Sequence, residues 1–147
     1  MNEEKLFKGR VVAPMNVMKI DIAYRIFQCN NLESLVYSDL MQGRSDLVQD
    51  FFAFVETFRG LWNATDQMVK KKNKEEYEKF RQFFDWLLAE VTRIREFEEG
   101  SFIEELYKTA QKVLDAYRRY REILMSIGLL NLATYEIRPE YAYRESL

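Results

Sequence analysis

Residues 102–127 read FIEELYKTAQKVLDAYRRYREILMSI, and this stretch decides the fold. Ser101 and Glu104 predict a capping box at the start of a helix, and Gly128 is placed to end it. At about 1.5 Å of rise per residue, such a helix spans roughly 39 Å. Its apolar residues return at alternating intervals of three and four, the a/d seam of a heptad pattern, at Ile103, Leu106, Ala110, Val113, Tyr117, Tyr120, Leu124 and Ile127. A seam this long predicts burial against other helices.

The segment just before it, residues 74–97, has the same rhythm. Asn73 is its predicted cap and Gly100 its predicted stop. Its seam consists of Tyr77, Phe80, Phe84, Leu87, Val91 and Ile94, flanked by Phe83, Trp86 and Leu88. The flanking residues make the apolar stripe broader than a two-stranded coiled coil needs, which favours a helical bundle.

A third seam runs through residues 46–69, with Ser45 as the predicted cap. It consists of Val48, Phe51, Val55, Phe58, Trp62 and Val69. Gly60 lies inside this helix and indicates either close packing against a neighbour or a kink. Between this helix and the next, residues 70–74 form either a turn or the middle of one long helix, in which case a second chain would complete the bundle.

The first part of the chain is less regular. Residues 17–29 and 32–41 are helical by pattern, and Asn30-Asn31 between them predicts a broken or kinked first helix. The sequence therefore predicts an all-α fold, a four-helix bundle with a broken first helix. We expect an extended N-terminal segment over residues 1–15, the bundle over 16–128, and a C-terminal arm over 129–147.

The composition excludes several kinds of chemistry. The 147 residues include no histidine and a single cysteine, Cys29. Ser-His-Asp and Cys-His catalysis, His-ligated zinc and Cys-based zinc sites are therefore excluded. Acidic residues avoid the seam positions of the two best-patterned helices, and no glycine-rich phosphate loop is present. We predict a non-enzyme without catalytic residues, cofactor or metal, and with Cys29 as a buried apolar thiol.

Two basic clusters are candidate partner-binding sites. Functionally, either could contact nucleic-acid phosphates or an acidic protein. Structurally, the lysines would sit at a helix C-terminus and the arginines on a solvated face. Residues 46–69 carry four acids against one base and residues 75–100 eight acids against four bases, so duplex docking along those faces is disfavoured. The clusters are Lys70, Lys71, Lys72 and Lys74, and Arg118, Arg119 and Arg121.

Aromatic residues supply the second functional hint. Phe51, Phe52, Phe54 and Phe58 lie close together, more than one helix face accommodates, which predicts a surface for oligomerisation or for a partner. Tyrosines recur in the C-terminal arm at Tyr135, Tyr141 and Tyr143, around a proline that excludes a central strand. We expect this arm to pack on its own bundle or on a partner.

The stretch from 46 to 91, DLVQDFFAFVETFRGLWNATDQMVKKKNKEEYEKFRQFFDWLLAEV, resembles the small helical-bundle proteins encoded by viruses of hyperthermophilic archaea. The resemblance covers about a third of the chain and lies in aromatic-rich heptads, many Lys and Glu residues and few glycines. It implies a virion component, or a small regulator of transcription that binds host machinery such as RNA polymerase.

Three hypotheses of function follow from the sequence. The first is a non-catalytic protein that binds a protein partner, or a second copy of itself, through helical faces and arms. The second is a nucleic-acid-associated protein that uses the Lys and Arg clusters, and the third, least supported, is an enzyme. Neither a secretion signal nor a membrane-spanning stretch is visible, so we expect a cytoplasmic protein, in the host cytoplasm or the virion if viral.

Overall fold

The computed structural model describes the backbone of residues 14–96 and 99–129 and the side chains of residues 20–96 and 104–129. It contains four α-helices within these ranges: α1 (Pro14–Gln42), α2 (Leu47–Lys72), α3 (Lys74–Arg95) and α4 (Glu99–Ser126). The predicted all-α four-helix bundle is therefore confirmed. Most of the predicted N-terminal segment and all but the first residue of the C-terminal arm lie outside the described residues.

The helices run alternately up and down, because each is joined to the next by a short connection. Arg93 of α3 reaches Glu105 of α4 near their junction, and Arg119 reaches Glu76 at the opposite end of the same pair, so α3 and α4 are antiparallel. Around the bundle α1 lies between α2 and α4, and α3 lies opposite α1. The α2 and α4 helices also touch across the diagonal.

The core is divided between aromatic and aliphatic side chains. Ring contacts join α2, α3 and α4. Phe58 of α2 contacts rings of both other helices, at centroid distances of 4.9 Å to Phe84 and 5.3 Å to Tyr117, and Trp62 likewise contacts Phe84 and Tyr120. The α1 helix contributes smaller residues to the same core, namely Ile22, Ala23, Ile26, Cys29 and Val36. Small side chains allow α1 to approach α2 closely, which agrees with α1 and α2 being the most extensively packed pair.

The prediction of a broken first helix is wrong, because α1 continues through Asn30 and Asn31 without interruption. Asparagine disfavours a helix interior by less than about 1 kcal/mol, chiefly because its side chain competes for backbone hydrogen bonds. Here the Asn30 side chain instead accepts hydrogen bonds from Tyr117 and Arg121 of α4. Tertiary contacts therefore remove the reason for a break.

Two predicted helix starts and one stop are also wrong. The N-cap of α2 is Asp46 rather than Ser45, and it makes no side-chain capping bond. The α4 helix begins at Glu99, so Ser101 lies inside it and does not cap it. Gly100 likewise lies inside α4, because α3 has already ended at Arg95. The connection falls before the glycine, and a helical position does not require glycine's conformational freedom.

Other predicted boundaries are confirmed. Asn73 accepts a hydrogen bond from the Glu76 amide at 3.2 Å and is the only residue between α2 and α3, so a turn forms there rather than one long helix. Gly128, the predicted stop of α4, has a left-handed φ of +86°, the conformation that glycine tolerates best. Gly43, which follows α1, has a similar φ of +62°. Gly60 is a close-packing position, since a Cβ there would lie 3.1 Å from Arg25 Nη1 of α1.

Candidate interaction surface

The arginine cluster of α4 forms ion pairs with neighbouring helices. Arg118 Nε and Arg121 Nη1 donate to the two carboxylate oxygens of Glu33 on α1, at 2.7 Å and 3.0 Å. Arg121 Nη1 also donates to Asn30 Oδ1 at 2.6 Å. Arg119 Nη2 donates to Glu76 of α3 at 3.0 Å. These three candidate partner-binding side chains therefore already have carboxylate partners within the fold.

The lysine cluster lies at one end of the bundle. Lys70, Lys71 and Lys72 occupy the last turn of α2, where cations are favoured by the helix dipole, and Lys74 opens α3. Lys70 Nζ lies 5.3 Å from the centre of the Tyr77 ring. All four lysines are exposed. The other candidate residues, Tyr135, Tyr141 and Tyr143, lie outside the described residues.

The four clustered phenylalanines of α2 do not form an exposed surface, which corrects the prediction made from them. Phe51, Phe54 and Phe58 are fully buried. Phe52 is half-buried, and the Arg95 guanidinium lies over its ring, 4.7 Å from the ring centre. The prediction failed because α2 contacts three helices, α1, α3 and α4, and so buries more of its circumference than a single face.

The outward side of α1 carries an unexpected uncharged seam, in which four of the seven residues are apolar. Its residues recur at spacings of four and three, as in a coiled coil, but on the side opposite the buried Ile22, Ile26 and Val36. Ile20, Tyr24 and Met41 are 40%, 44% and 69% exposed. We call this set the outer seam of α1, and it consists of Ile20, Tyr24, Phe27, Asn31, Ser34, Ser38 and Met41.

No residue of the outer seam is charged, and one side of the seam is bordered by Asp21, Gln28, Leu35 and Gln42, of which only Asp21 is charged. The outward faces of α2, α3 and α4 are different, since each carries exposed charged side chains such as Glu56, Asp85 and Lys108. Charge-free helix faces are rare on surfaces that water covers, whereas loss of charge is typical of the centre of protein interfaces.

The charged residues of α1 between 20 and 42 all point to its flanks, where each has a partner within the chain. Asp21 and Arg25 pair with each other at 3.0 Å. Glu33 binds the arginines of α4, and Asp39 lies 3.7 Å from Arg44. The outer seam is therefore framed by neutralised charges, which suits an uncharged partner.

A second apolar depression lies between α3 and α4. It comprises two adjoining shallow spaces of about 260 and 430 Å³, with Phe83 and Ala116 lining both. Charged side chains border it, because Lys112 Nζ lies 5.1 Å from the centre of the Trp86 ring and Arg119 reaches across to Glu76. Unlike the outer seam, this depression is therefore lined by charged side chains.

Two buried titratable groups lie away from these surfaces. Desolvation, followed by the neighbouring Glu33 carboxylate, raises the pKa of the Cys29 thiol to about 12 and leaves it unreactive, as predicted for a buried apolar thiol. Burial and then contact with the Asp50 carboxyl raise the pKa of Asp39 to about 6. As a carboxylate Asp39 leaves its Oδ2 without a donor, whereas in its protonated form it can donate to Asp50.

Within the described residues, no three His, Cys, Asp or Glu side chains converge as the ligands of a metal ion would. Over the same residues, no helix is both long and apolar enough to cross a membrane. The chain matches no known protein family, no curated protein and no solved structure. Its function must therefore be argued from its own surfaces.

The sequence-based search missed the outer seam of α1. Sites were predicted from the local density of arginines, lysines or phenylalanines. In the structure the phenylalanines are mostly buried and the arginines are paired with carboxylates of the same chain, whereas the lysines are exposed. The available signal was different: a second run with heptad spacing on one helix, combined with the absence of charge from residue 26 to residue 32 and from 34 to 38.

Proposed function

We propose that this chain is a non-catalytic protein-interaction module whose contact surface is the outer seam of α1. The observation that supports this proposal is the seam itself. Five of its seven residues are exposed and the other two are half-buried, it is about 31 Å long at helical rise, and it carries no charge in a chain with 31% charged residues. Uncharged apolar surface at helical spacing is what a partner helix buries.

The residue types on the seam suit this role. Tyrosine and methionine are enriched at interface centres, tyrosine because it offers a large contact area and a hydroxyl at low entropic cost. Ser34, Ser38 and Asn31 can form hydrogen bonds with a partner without the desolvation cost of a charge. If the chain acts like the viral helical-bundle proteins that it resembles, its partner would belong to a virion or to host machinery such as RNA polymerase.

Nucleic-acid binding is the weaker alternative. In this alternative one of the two phosphate-binding clusters is Arg118, Arg119 and Arg121. These arginines would have to break their ion pairs with Glu33 and Glu76 before they could bind phosphates. The exposed lysines at the α2–α3 turn are followed at once by Glu75 and Glu76. We therefore favour a protein partner for the outer seam.

The test is site-specific photocrosslinking in native host extract. Tyr24 on the seam is replaced by p-benzoylphenylalanine, and a matched variant carries the same group at Leu88, an exposed apolar residue of α3. We expect intermolecular adducts from position 24 and none from position 88. Equal labelling at both positions, no intermolecular adduct at 24, or adducts only to residues 130–147 of the same chain would overturn the proposal.

A further inference from the structure

The residues of the outer seam of α1 can be assigned to heptad positions. Spacings of four and three place Tyr24, Asn31 and Ser38 at one type of heptad position (a), and Ile20, Phe27, Ser34 and Met41 at the other (d). The first half of the seam is apolar, and its centre is an exposed asparagine. A single asparagine at an a position is a known device for fixing the register and the number of strands of a helix pair.

We infer that the occupant of the outer seam is a second copy of this chain, with the two α1 helices side by side, parallel and in register. This inference rests on the proposed function, because it names the partner of the same surface. In a parallel pairing, the apolar residues from Ile20 to Phe27 of one chain pack against the same residues of the other chain. The two Asn31 side-chain amides can then form a hydrogen bond with each other. An antiparallel pairing would instead set aromatic rings against the serines.

Charge supports self-pairing. Two copies of a charged face repel each other, whereas two copies of an uncharged seam do not. Asp21, Glu33 and Asp39 have internal cationic partners and therefore bring no unpaired charge to the edge of the interface. The exposed faces of the other three helices mix both signs of charge along their length and offer no comparable uncharged strip.

The size of the contact predicts a weak dimer. A strip of about 31 Å by 10 Å is smaller than the roughly 800 Å² per partner of a standard stable interface. We therefore expect a reversible equilibrium between monomer and dimer, visible on dilution through the micromolar range. Such an equilibrium would make binding activity depend on protein concentration.

Sedimentation equilibrium of the full chain tests the inference with charge-reversal variants. Asn31→Glu and Asn31→Lys should each raise the dimer dissociation constant at least about tenfold, because like charges then meet at the two-fold axis. An equimolar mixture of the two should restore dimers, which a folding defect could not do. Gln82→Glu, an exposed change on α3, is the matched control and should leave dimerisation unchanged.

A cysteine variant tests the parallel register. Ser34→Cys should form a disulfide-linked dimer under mild oxidation, because its d position faces the same residue of the other copy, whereas Gln82→Cys should not. The buried Cys29 does not compete, since it is fully shielded from solvent. A chain that stays monomeric at all concentrations, charge variants that dimerise like the parent, or absence of the Ser34 disulfide would each overturn the inference.

These outcomes are separable from a failure of the proposed function. A monomeric chain that still gives adducts to other proteins from position 24 contradicts self-pairing and leaves the interaction module standing. A chain that neither dimerises nor gives intermolecular adducts at position 24 contradicts both.

Discussion

At the scale of single residues, the buried Asp39 makes stability depend on pH. Its side chain is 2% exposed, and its pKa in the fold, about 6, exceeds the ordinary value of 3.8 because of burial and the nearby Asp50. The folded state therefore holds the proton more tightly than the unfolded state. This contribution to stability is fully present below about pH 4 and is lost as the pH rises through 6.

Asp39→Asn should therefore raise the free energy of unfolding at pH 8, by about 1–2 kcal/mol, and change it little at pH 4. The full two-unit shift corresponds to about 3 kcal/mol, and we expect less because an asparagine amide reproduces the protonated acid only in part. Urea unfolding at the two pH values measures the effect, with the exposed Asp115→Asn as control. Equal effects of Asp39→Asn at both pH values would contradict the assignment.

At the scale of helices, Gly60 and Gly43 should respond oppositely to alanine. Gly60 lies inside α2, and the nearest atom to an added Cβ is the flexible end of Arg25, which is partly exposed and can shift. Gly60→Ala should stabilise the protein by about 0.5–1 kcal/mol through better helix propensity. Gly43→Ala should destabilise it by about 1 kcal/mol, because φ there is +62°.

Thermal and urea unfolding of the two variants measure this pair of effects. A destabilised Gly60→Ala would show that Arg25 cannot move away, so that close packing of α1 on α2 outweighs helix propensity at this position. A neutral Gly43→Ala would contradict the left-handed conformation of the α1–α2 turn.

Helices α2, α3 and α4 could be predicted from the sequence because each has one dominant apolar seam with charges on its opposite side. The α1 helix could be placed less well, because its apolar residues cover two sides. The apolar residues of α1 include Ile20, Tyr24 and Leu35, whose side chains are exposed, whereas the core side consists of Ile22, Ile26, Cys29 and Val36. Periodicity identifies a helix of this kind without telling which side is inward.

The sequence also does not tell which of the candidate site residues are exposed, for a different reason. Clusters of Arg and Phe are visible in a sequence, but whether they face outward depends on how many neighbours their helix has. Glu33 and Glu76, which neutralise the arginines, are more than 40 residues away along the chain, so no local pattern could assign them. Charge depletion along α1 could have been read from the sequence alone.

At the scale of the whole molecule, a buried hydrogen bond joins the diagonal of the bundle. The hydroxyl of Tyr120 on α4 and that of Thr65 on α2 lie 2.5 Å apart, and both residues are fully buried. Thr65 Oγ1 donates to the Leu61 carbonyl at 2.7 Å, which leaves Tyr120 as the donor to Thr65. Burial raises the pKa of the Tyr120 hydroxyl, so it keeps this proton.

Thr65→Val should therefore cost more than Tyr120→Phe, although both remove the same interhelical bond. The valine variant strands a buried tyrosine hydroxyl and should lose about 2–3 kcal/mol, whereas the phenylalanine variant leaves Thr65 bonded to Leu61 and should lose about 1 kcal/mol. In the double variant no buried hydroxyl lacks a hydrogen-bond partner. Its loss of unfolding free energy should therefore be about 1 kcal/mol smaller than the sum of the losses of the two single variants. Urea unfolding of the four proteins gives this coupling, and strictly additive losses would show that the diagonal bond does not link α2 to α4.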